Sequence, residues 1–412
     1  MTSGKMNRRV VVTGMGCVTP FGYGIEKSWG ALRQACSAPA PISRFDTSGY
    51  RTTIAAEVDD NHALDSASGF DLKLVSRNTR FSLATVADLV HEQDLSAMTQ
   101  RSMGVCLGSG LGGMYFTEEA IAALHRNGSR GISPLTVPFV DPNAIVSRVA
   151  IQWKLTGPQL TISTACSSSA HAIGVAADMI RSGRCDAVLT GGVEATMSPL
   201  VFSGFDRLRA MTTRNHTPAV ACRPFSDDRD GFVMGEGAAM LLLEAESSAI
   251  KRGARIHAEL LGYGASGGAY HPVAPLPDGA DLVAAMKAAL VDAGVAPDEI
   301  DLINPHGTGT RLNDDAELLA LRTVFGQSLD RIHVTPTKQL SGHLLGASAA
   351  LESLHVIKSI EESFVTPIRY ADRSSGLNIL VGSGLRKEIR IAMKNSFGFG
   401  NNNVSLIFGA YR

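Results

Sequence analysis

The sequence predicts a layered α/β fold built from two similar halves, and three observations carry that expectation. Short β-branched runs alternate with helix-length segments along the whole chain. The strand-like runs lack clean polar alternation, the pattern of strands buried on both faces. The second half also repeats the shape of the first. "QLTISTACSSSAHAIGVAADMIRSG" and "RIHVTPTKQLSGHLLGASAALESLHVIKSI" both run from strand through polar turn into a helix studded with Ala, Ser and Gly. The repeat is one of shape and not of residue identity.

Taken in order, "RRVVVTGMG" is a strand ending in a turn, and "RFSLATVADLVHEQDL" is a helix. "SMGVCLGSG" and "QLTIST" are strands, "SSSAHAIGVAADMIRSG" is a helix, and "CDAVLTGG" is a strand. In the second half "ARIHAELLGYG" is a strand, "GADLVAAMKAALVDAG" a helix, and "EIDLINPHG" a strand entering a turn. The final strand is "VSLIFGAY". A boundary falls near residues 250–258, dividing 1–255 from 256–412. No Pro/Ser linker separates the halves, so they are expected to pack as one body.

Composition removes several function classes. The 412 residues are 44% hydrophobic, enough for a large core, so disorder is excluded. A formal net charge of −1 argues against a surface built for nucleic acid. Two basic clusters, Lys73/Arg77/Arg80 and Arg207/Arg209/Arg214, read as scattered solvated charges. Six dispersed cysteines without a CxxC pair or Cys/His metal spacing read as reduced thiols, with no metal site. The longest apolar runs, such as "AAMLLL" at 238–243, are far too short to span a bilayer, and the N-terminus reads as strand and turn. A cytoplasmic protein without a membrane partner is the expectation.

Four stretches carry possible chemistry. In "TACSSSAHA", Cys166 stands at the first turn of a helix, where free N–H groups favour thiolate and can face an oxyanion. An isolated cysteine is equally a small buried hydrophobe. In "NPHGTGT", His306 ends a strand, and Thr308 and Thr310 can bond an extended polar arm; a turn histidine capping a helix fits as well. In "TKQLSGHLLGAS", His343 is placed at the start of the small-residue helix, where the dipole keeps it neutral. Lys338 has apolar neighbours, so partial burial would require a carboxylate, with Asp314, Asp315 and Glu317 as candidates. "NSFGFGNNN" is expected to be a mobile loop with an aromatic plug, or a plain glycine-rich turn. Together Cys166, His306, Lys338 and His343 form a set suited to acyl transfer through a thioester followed by carbanion chemistry.

At these motifs the chain resembles the elongating β-ketoacyl-acyl-carrier-protein synthases of the thiolase superfamily. The resemblance runs from "VVVTGMGCVTPFG" through "LGSGLGG", "TACSSSAHAIG", "GGVEA", "RPFSDDRDGFVMGEGA", "NPHGTGT" and "KQLSGHLLGAS" to "NSFGFG". It implies the thiolase-like fold, duplicated α/β halves in an αβαβα arrangement. It also implies that Cys166 takes the acyl chain from the phosphopantetheine arm of an acyl carrier protein, with no separate cofactor. His306 and His343 would hold the malonyl thioester while CO2 leaves, and the backbone N–H groups of Cys166 and Phe399 would form the oxyanion hole. Lys338 would orient His343 and pair with Glu317, with Asp314 in support. Thr308 and Thr310 would contact the pantetheine arm. Phe399 would gate the site, Phe397 and Gly400 would flank it, and Leu111 would lie where the acyl pocket meets a dimer partner. The resemblance implies a homodimer or a heterodimer with a related subunit.

The sequence departs from the family at several places. Asn401 and Asn402 stand where glycine and threonine are usual, Arg311 where proline is common, and Arg80 where an acidic residue is frequent. Pro272 and Pro275 fall near the expected pantetheine contacts. These departures point toward a specialised polyketide or polyene pathway, with a ketosynthase acting beside a partner subunit as the alternative reading. A thiolase using free CoA esters is disfavoured because a Gly-bracketed second cysteine is missing near the C-terminus.

Overall fold

The computed structural model describes residues 8–60, 75–91 and 103–412; Lys73 lies outside them. Among the described residues, ten strands form the path of the main sheet, with a short eleventh at Gly22–Tyr23 paired to the first: β1 (Val10–Thr19), β2 (Met103–Gly108), β3 (Gln159–Ile162), β4 (Ala187–Glu194), β5 (Gly237–Ala245), β6 (Ala258–Gly267), β7 (Leu302–Asn304), β8 (His333–Val334), β9 (Ile391–Gly398) and β10 (Asn402–Gly409). Their spatial order is β8-β7-β9-β10-β6-β1-β5-β4-β2-β3. Numbered within its own half, each set of five runs third, second, fourth, fifth, first. The pairing types match as well. β2 is parallel to β3 and β4, as β7 is to β8 and β9, and the remaining pairs within each half are antiparallel. The two halves join through β1 and β6, which share only the pairs Val11↔Glu259 and Val12↔Ala258.

Seven helices cover these strands: α1 (Arg77–His91), α2 (Met114–Asn127), α3 (Ala144–Trp153), α4 (Ser168–Arg181), α5 (Ala280–Ala293), α6 (Arg311–Phe325) and α7 (Ser348–Glu362). Helices α4 and α7 pack on each other and on strands of both halves; α1 and α3 cover the outside of the first half, and α5, backed by α6, that of the second. The layers are therefore αβαβα. Strand β5 shows why its sequence lacks polar alternation. Ala239, Leu241 and Leu243 face the central core, while Ala238, Met240 and Leu242 face the outer one. Each fully buried leucine of this kind contributes about 1.5–3 kcal/mol. The run "AAMLLL", which stood out only for its apolarity, is thus the middle of a doubly covered strand.

The small residues expected in the central helices have a geometric reason. A Cβ on Gly108, at the end of β2, would lie 2.3 Å from the backbone of Ser168 at the start of α4. Only glycine lets strand and helix approach so closely. Helix α7 is buried along its whole length from Ser348 to Ile360, as a helix between two sheet halves must be.

Two expectations of local structure are corrected. "NSFGFGNNN" is largely β9, which continues to Gly398, and the turn is confined to residues 399–401 between two paired strands. The alternation of "IAMKNSFG", with glycine only at its end, drives the strand. His343 does not start the helix: a short 3-10 turn at Leu345–Ala347 intervenes, and α7 begins at Ser348.

Candidate active site

The strand-to-helix turn after β3 presents Cys166. Ala165 adopts φ 51° there, a costly conformation for a residue with a Cβ. The turn is held by the far end of the chain: Ser167 Oγ reaches the carbonyls of Ser396 (3.0 Å) and Asn402 (2.6 Å), and Ser396 Oγ donates to the Cys166 carbonyl (3.0 Å). A Cβ on Gly398 would stand 2.9 Å from the Thr164 carbonyl, so glycine is needed where β9 ends against this turn.

Both histidines arrive on turns that follow second-half strands. His343 Nε2 lies 3.1 Å from Cys166 Sγ, and its Nδ1 lies 2.8 Å from Ser348 Oγ. His306 stands edge to face with His343, ring centroids 5.5 Å apart. The three side chains are buried at the floor of a cavity of about 660 Å³, walled by Phe205, Phe232, Phe397 and Phe399. Phe399 stacks on Phe205 at 6.3 Å. Thr308 and Thr310 also line the cavity and share a 2.9 Å hydrogen bond.

Burial sets the protonation states. It pushes the Cys166 thiol up to about 12, although the ammonium of Lys338 and the backbone N–H groups of Phe399 and Cys166 favour thiolate. The helix start therefore does not yield a resting thiolate, as the sequence suggested. Burial likewise holds His306 and His343 well below the usual imidazole range, and the charges of Lys338 and Lys394 push the same way. A neutral thiol faces a neutral imidazole. The Ser348 hydroxyl can accept from Nδ1–H or donate to bare Nδ1, so it tolerates either tautomer of His343.

Behind the histidines lies a charged layer that does not line the cavity. Lys338 does not pair with Glu317. Its Nζ donates to the His306 carbonyl (2.6 Å) and to Glu352 Oε1 (2.7 Å), and Lys394 Nζ sits 2.8 Å from Glu352 Oε2. Glu317 is already occupied, accepting the backbone N–H groups of His306 and Gly307 at 2.8 Å each. Burial pushes Glu317 up to about 7, whereas the ammonium groups of Lys338 and Lys394 overcome burial at Glu352 and hold its carboxyl low. A buried ammonium takes the carboxylate that remains ionised. The hydrogen bonds of Lys338 go to the His306 carbonyl and Glu352, so its hold is on the His306 backbone, and it reaches His343 through its charge. Asp314 accepts from Phe225 N (2.8 Å) and Gly309 N and so fixes the same turn.

Leu111 does not line the cavity; it packs against the apolar cluster of Met197, Phe202 and Phe232 behind the cavity wall. Its N–H donates to Glu194, a buried carboxylate that also receives Gly110 N and Gly346 N. Gly400 is exposed and donates to the Pro272 carbonyl (2.8 Å). Asn401, at φ 56°, is buried. Its Oδ1 accepts from Tyr270 N and His271 N, and its Nδ2 donates to Ala274 O (2.8 Å). A side chain in place of glycine thus ties the Phe399 turn to the 270–274 loop. The arginines of "RFSL" and its neighbours are not all solvated either: Arg77 is buried against Glu236 and Asp60.

Sequence reasoning missed Glu352, Lys394, Glu194 and Ser348. The available signals were single charges inside apolar runs, Glu352 in "SAALESLHVI" and Lys394 in "IAMKNSF". As to metals, the donor atoms of Cys166, His306 and His343 lie within 4.8 Å of one another, a set that a soft cation could use. The two ammonium groups behind them oppose such a cation. Among the described residues, no helix is long and apolar enough to cross a membrane.

Comparison with known proteins gives consistent matches. Residues 7–249 match the model "Beta-ketoacyl synthase, N-terminal domain", and residues 257–371 the corresponding C-terminal domain. A 3-oxoacyl-[acyl-carrier-protein] synthase 2 of Coxiella burnetii is 39% identical over 97% of this chain and 98% of its own length. The Staphylococcus aureus (strain COL) protein of that name is 37% identical over 98% and 99%. Among solved structures, a type II PKS acyl-carrier protein in complex with its ketosynthase (AntDE:AntF) aligns with TM-score 0.91 at 29% identity, covering 99% of this chain and all of that one. The ishigamide ketosynthase/chain length factor aligns with TM-score 0.91 at 33% identity, covering 98% and 100%.

Proposed function

The chain belongs to the β-ketoacyl synthase family, and from that premise we propose how its site divides the work. The enzyme is a condensing acyltransferase of the elongating type. It joins the two-carbon unit of malonyl-carrier protein to an acyl chain held as an enzyme thioester, releasing CO2. Substrates arrive on the phosphopantetheine arm of the carrier.

In our reading Cys166 is the nucleophile. Its thiol proton passes to His343 Nε2 as sulfur attacks the acyl thioester carbonyl, and His343 returns that proton to the departing carrier thiolate. The N–H groups of Cys166 and Phe399, which converge on Sγ, receive the oxyanion. Malonyl-carrier protein then enters past Thr308 and Thr310. With Nε2–H presented, His306 and His343 donate to its thioester oxygen. The C–CO2 bond breaks, its electron pair forms the enolate, and the enolate carbon attacks the acyl-Cys166 carbonyl. Collapse of that adduct expels the Cys166 thiolate. Neutral donors suffice because CO2 loss drives the step, and the apolar walls keep water from the enolate. The observation that carries this reading is the 3.1 Å contact between Cys166 Sγ and His343 Nε2 at the floor of a cavity that His306 also lines.

Intact-protein mass spectrometry after incubation with a panel of acyl-carrier proteins tests it. Wild type should gain one acyl mass and Cys166→Ala none. Loading of the alanine variant removes Cys166 from the role.

A dimer is part of the proposal. Strand β3 is an edge strand with Leu160 exposed, α2 buries none of its residues, and Ile121, Leu124, Val137 and Ile151 are exposed on neighbouring elements. This is the apolar, edge-bearing face that a second subunit would cover. A homodimer is the first reading. A related partner subunit is the second, favoured by the likeness to the ishigamide ketosynthase/chain length factor. The mass of the purified chain in solution separates them: a dimer of one chain supports the first, a monomer the second.

A further inference from the structure

Helix α7, strand β9 and the turn after β8 place three charged side chains together, and none of them has a role in the scheme above. Lys338, Lys394 and Glu352 are each 2% exposed or less. Glu352 offers one oxygen to each ammonium group, at 2.7 and 2.8 Å. A single Lys–Glu pair would be neutral, and burying it would already be costly. The second lysine leaves this cluster one positive charge in excess, because Glu317, the other carboxyl facing Lys394, is pushed up to about 7 by its burial. Such a charge is expensive, and burial pushes the Lys394 ammonium down to about 8. That ammonium also donates to the Asn395 carbonyl, while Met393 beside it packs into the apolar core of the second half.

We propose that Lys394 is a positioning residue of the condensation reaction: its buried ammonium, sharing Glu352 with Lys338, acts through His306 and His343 and holds both rings as uncharged hydrogen-bond donors while negative charge forms on the substrate. This rests on the reaction proposed above. The field of the excess charge opposes protonation of either ring, since both histidines feel Lys338 and Lys394 as repulsive neighbours. An imidazolium at either position would give a proton to the enolate and quench it as an acetyl thioester. The groups that face Lys394 are Glu352 from α7, Lys338 from the turn after β8, Glu317 from α6 and the two histidines.

The test is the pH profile of condensation, measured as kcat for wild type and Lys394→Met, with circular dichroism to check the fold. Loss of the cation lets the histidines protonate more readily, so the acid limb should move to higher pH by about one unit. A variant that is slower but keeps the acid limb in place overturns the proposal, because a structural role alone lowers the whole curve. If Lys394→Met does not fold, 15N-histidine NMR of wild type decides: both rings should remain uncharged at pH 6, and an imidazolium signal from either at that pH refutes the idea. A wild-type enzyme that neither loads nor condenses brings down the parent reading. A Lys394→Met enzyme that condenses with an unmoved acid limb brings down only the role of Lys394.

Discussion

Glu352→Gln is the substitution whose cost can be worked most fully from the structure. The change keeps the shape of the side chain and removes the carboxylate that pairs with two buried ammonium groups, at 2.7 and 2.8 Å. If both lysines stay charged, the loss is that of breaking a buried ion pair, about 3–5 kcal/mol. The alternative is that one lysine gives up its proton on folding. Lys394 is the candidate, since burial already lowers it from 10.5 toward 8. Holding it neutral at pH 7 costs about 5 kcal/mol relative to an unfolded chain that keeps the proton, but wild type, with Lys394 lowered to about 8, already bears about 3 kcal/mol of that. Urea unfolding at pH 7 should therefore show a loss of about 3–5 kcal/mol if both lysines stay charged, and of about 1–2 kcal/mol if Lys394 gives up its proton. The two routes differ also in pH dependence. When the folded lysine is neutral, the unfolded state binds the extra proton, and stability rises with pH. Moving from pH 7 to pH 8 should then return about 1 kcal/mol of the deficit, since wild type itself gains a few tenths as Lys394 approaches its value of about 8. A loss below about 1 kcal/mol at pH 7 would refute the buried-charge account. A large loss that does not narrow at pH 8 would show that both lysines remain charged.

Other perturbations address single parts of the site. Cys166→Gln, whose amide resembles a malonyl-thioester carbonyl next to the histidines, should still release CO2 from malonyl-carrier protein but make no condensed product; product formation refutes the division of labour. Phe399→Ala removes the ring stacked on Phe205 and should change the acyl-transfer rate by up to about tenfold, while an unchanged rate in stopped-flow loading argues against a gate. Glu194→Gln turns an NH2 toward N–H groups that now share Glu194 Oε2, those of Gly110 and Gly346, and should cost about 1–3 kcal/mol in urea unfolding; unchanged stability would mean that the amide finds another arrangement.

The sequence made legible what local patterns encode. The turns bearing Cys166, His306 and His343 were readable because glycine, small residues and β-branched runs mark strand ends, and the structure brings these three side chains together. The partner of Lys338 was not readable. Glu317 was the reasonable choice in "NDDAELLA", but its carboxylate is consumed by backbone donors, and Glu352 looks like one polar position on a helix. A buried ion pair depends on which helix lies under which strand, and a pattern of period 2 or 3.6 does not report that. The glycines of "NSFGFG" misled in the same way. They read as flexibility, whereas Gly398 is required by a backbone contact at the end of a paired strand. Leu111 was placed where the pocket meets a dimer partner by likeness alone; in this chain it packs on Phe232, a wall of the cavity.

The hydrogen bonds from Ser167 and Ser396 have a consequence for synthesis. The turn that exposes Cys166 is braced by residues 396 and 402, 229 and 235 positions downstream of Ser167, and so leaves the ribosome well before its braces do. His343, its proton acceptor, is 177 residues downstream. A nascent first half can therefore form its strands without yet possessing an activated nucleophile. Acyl transfer to Cys166 is therefore expected to need the two halves folded against each other, and a first half made alone is expected not to load.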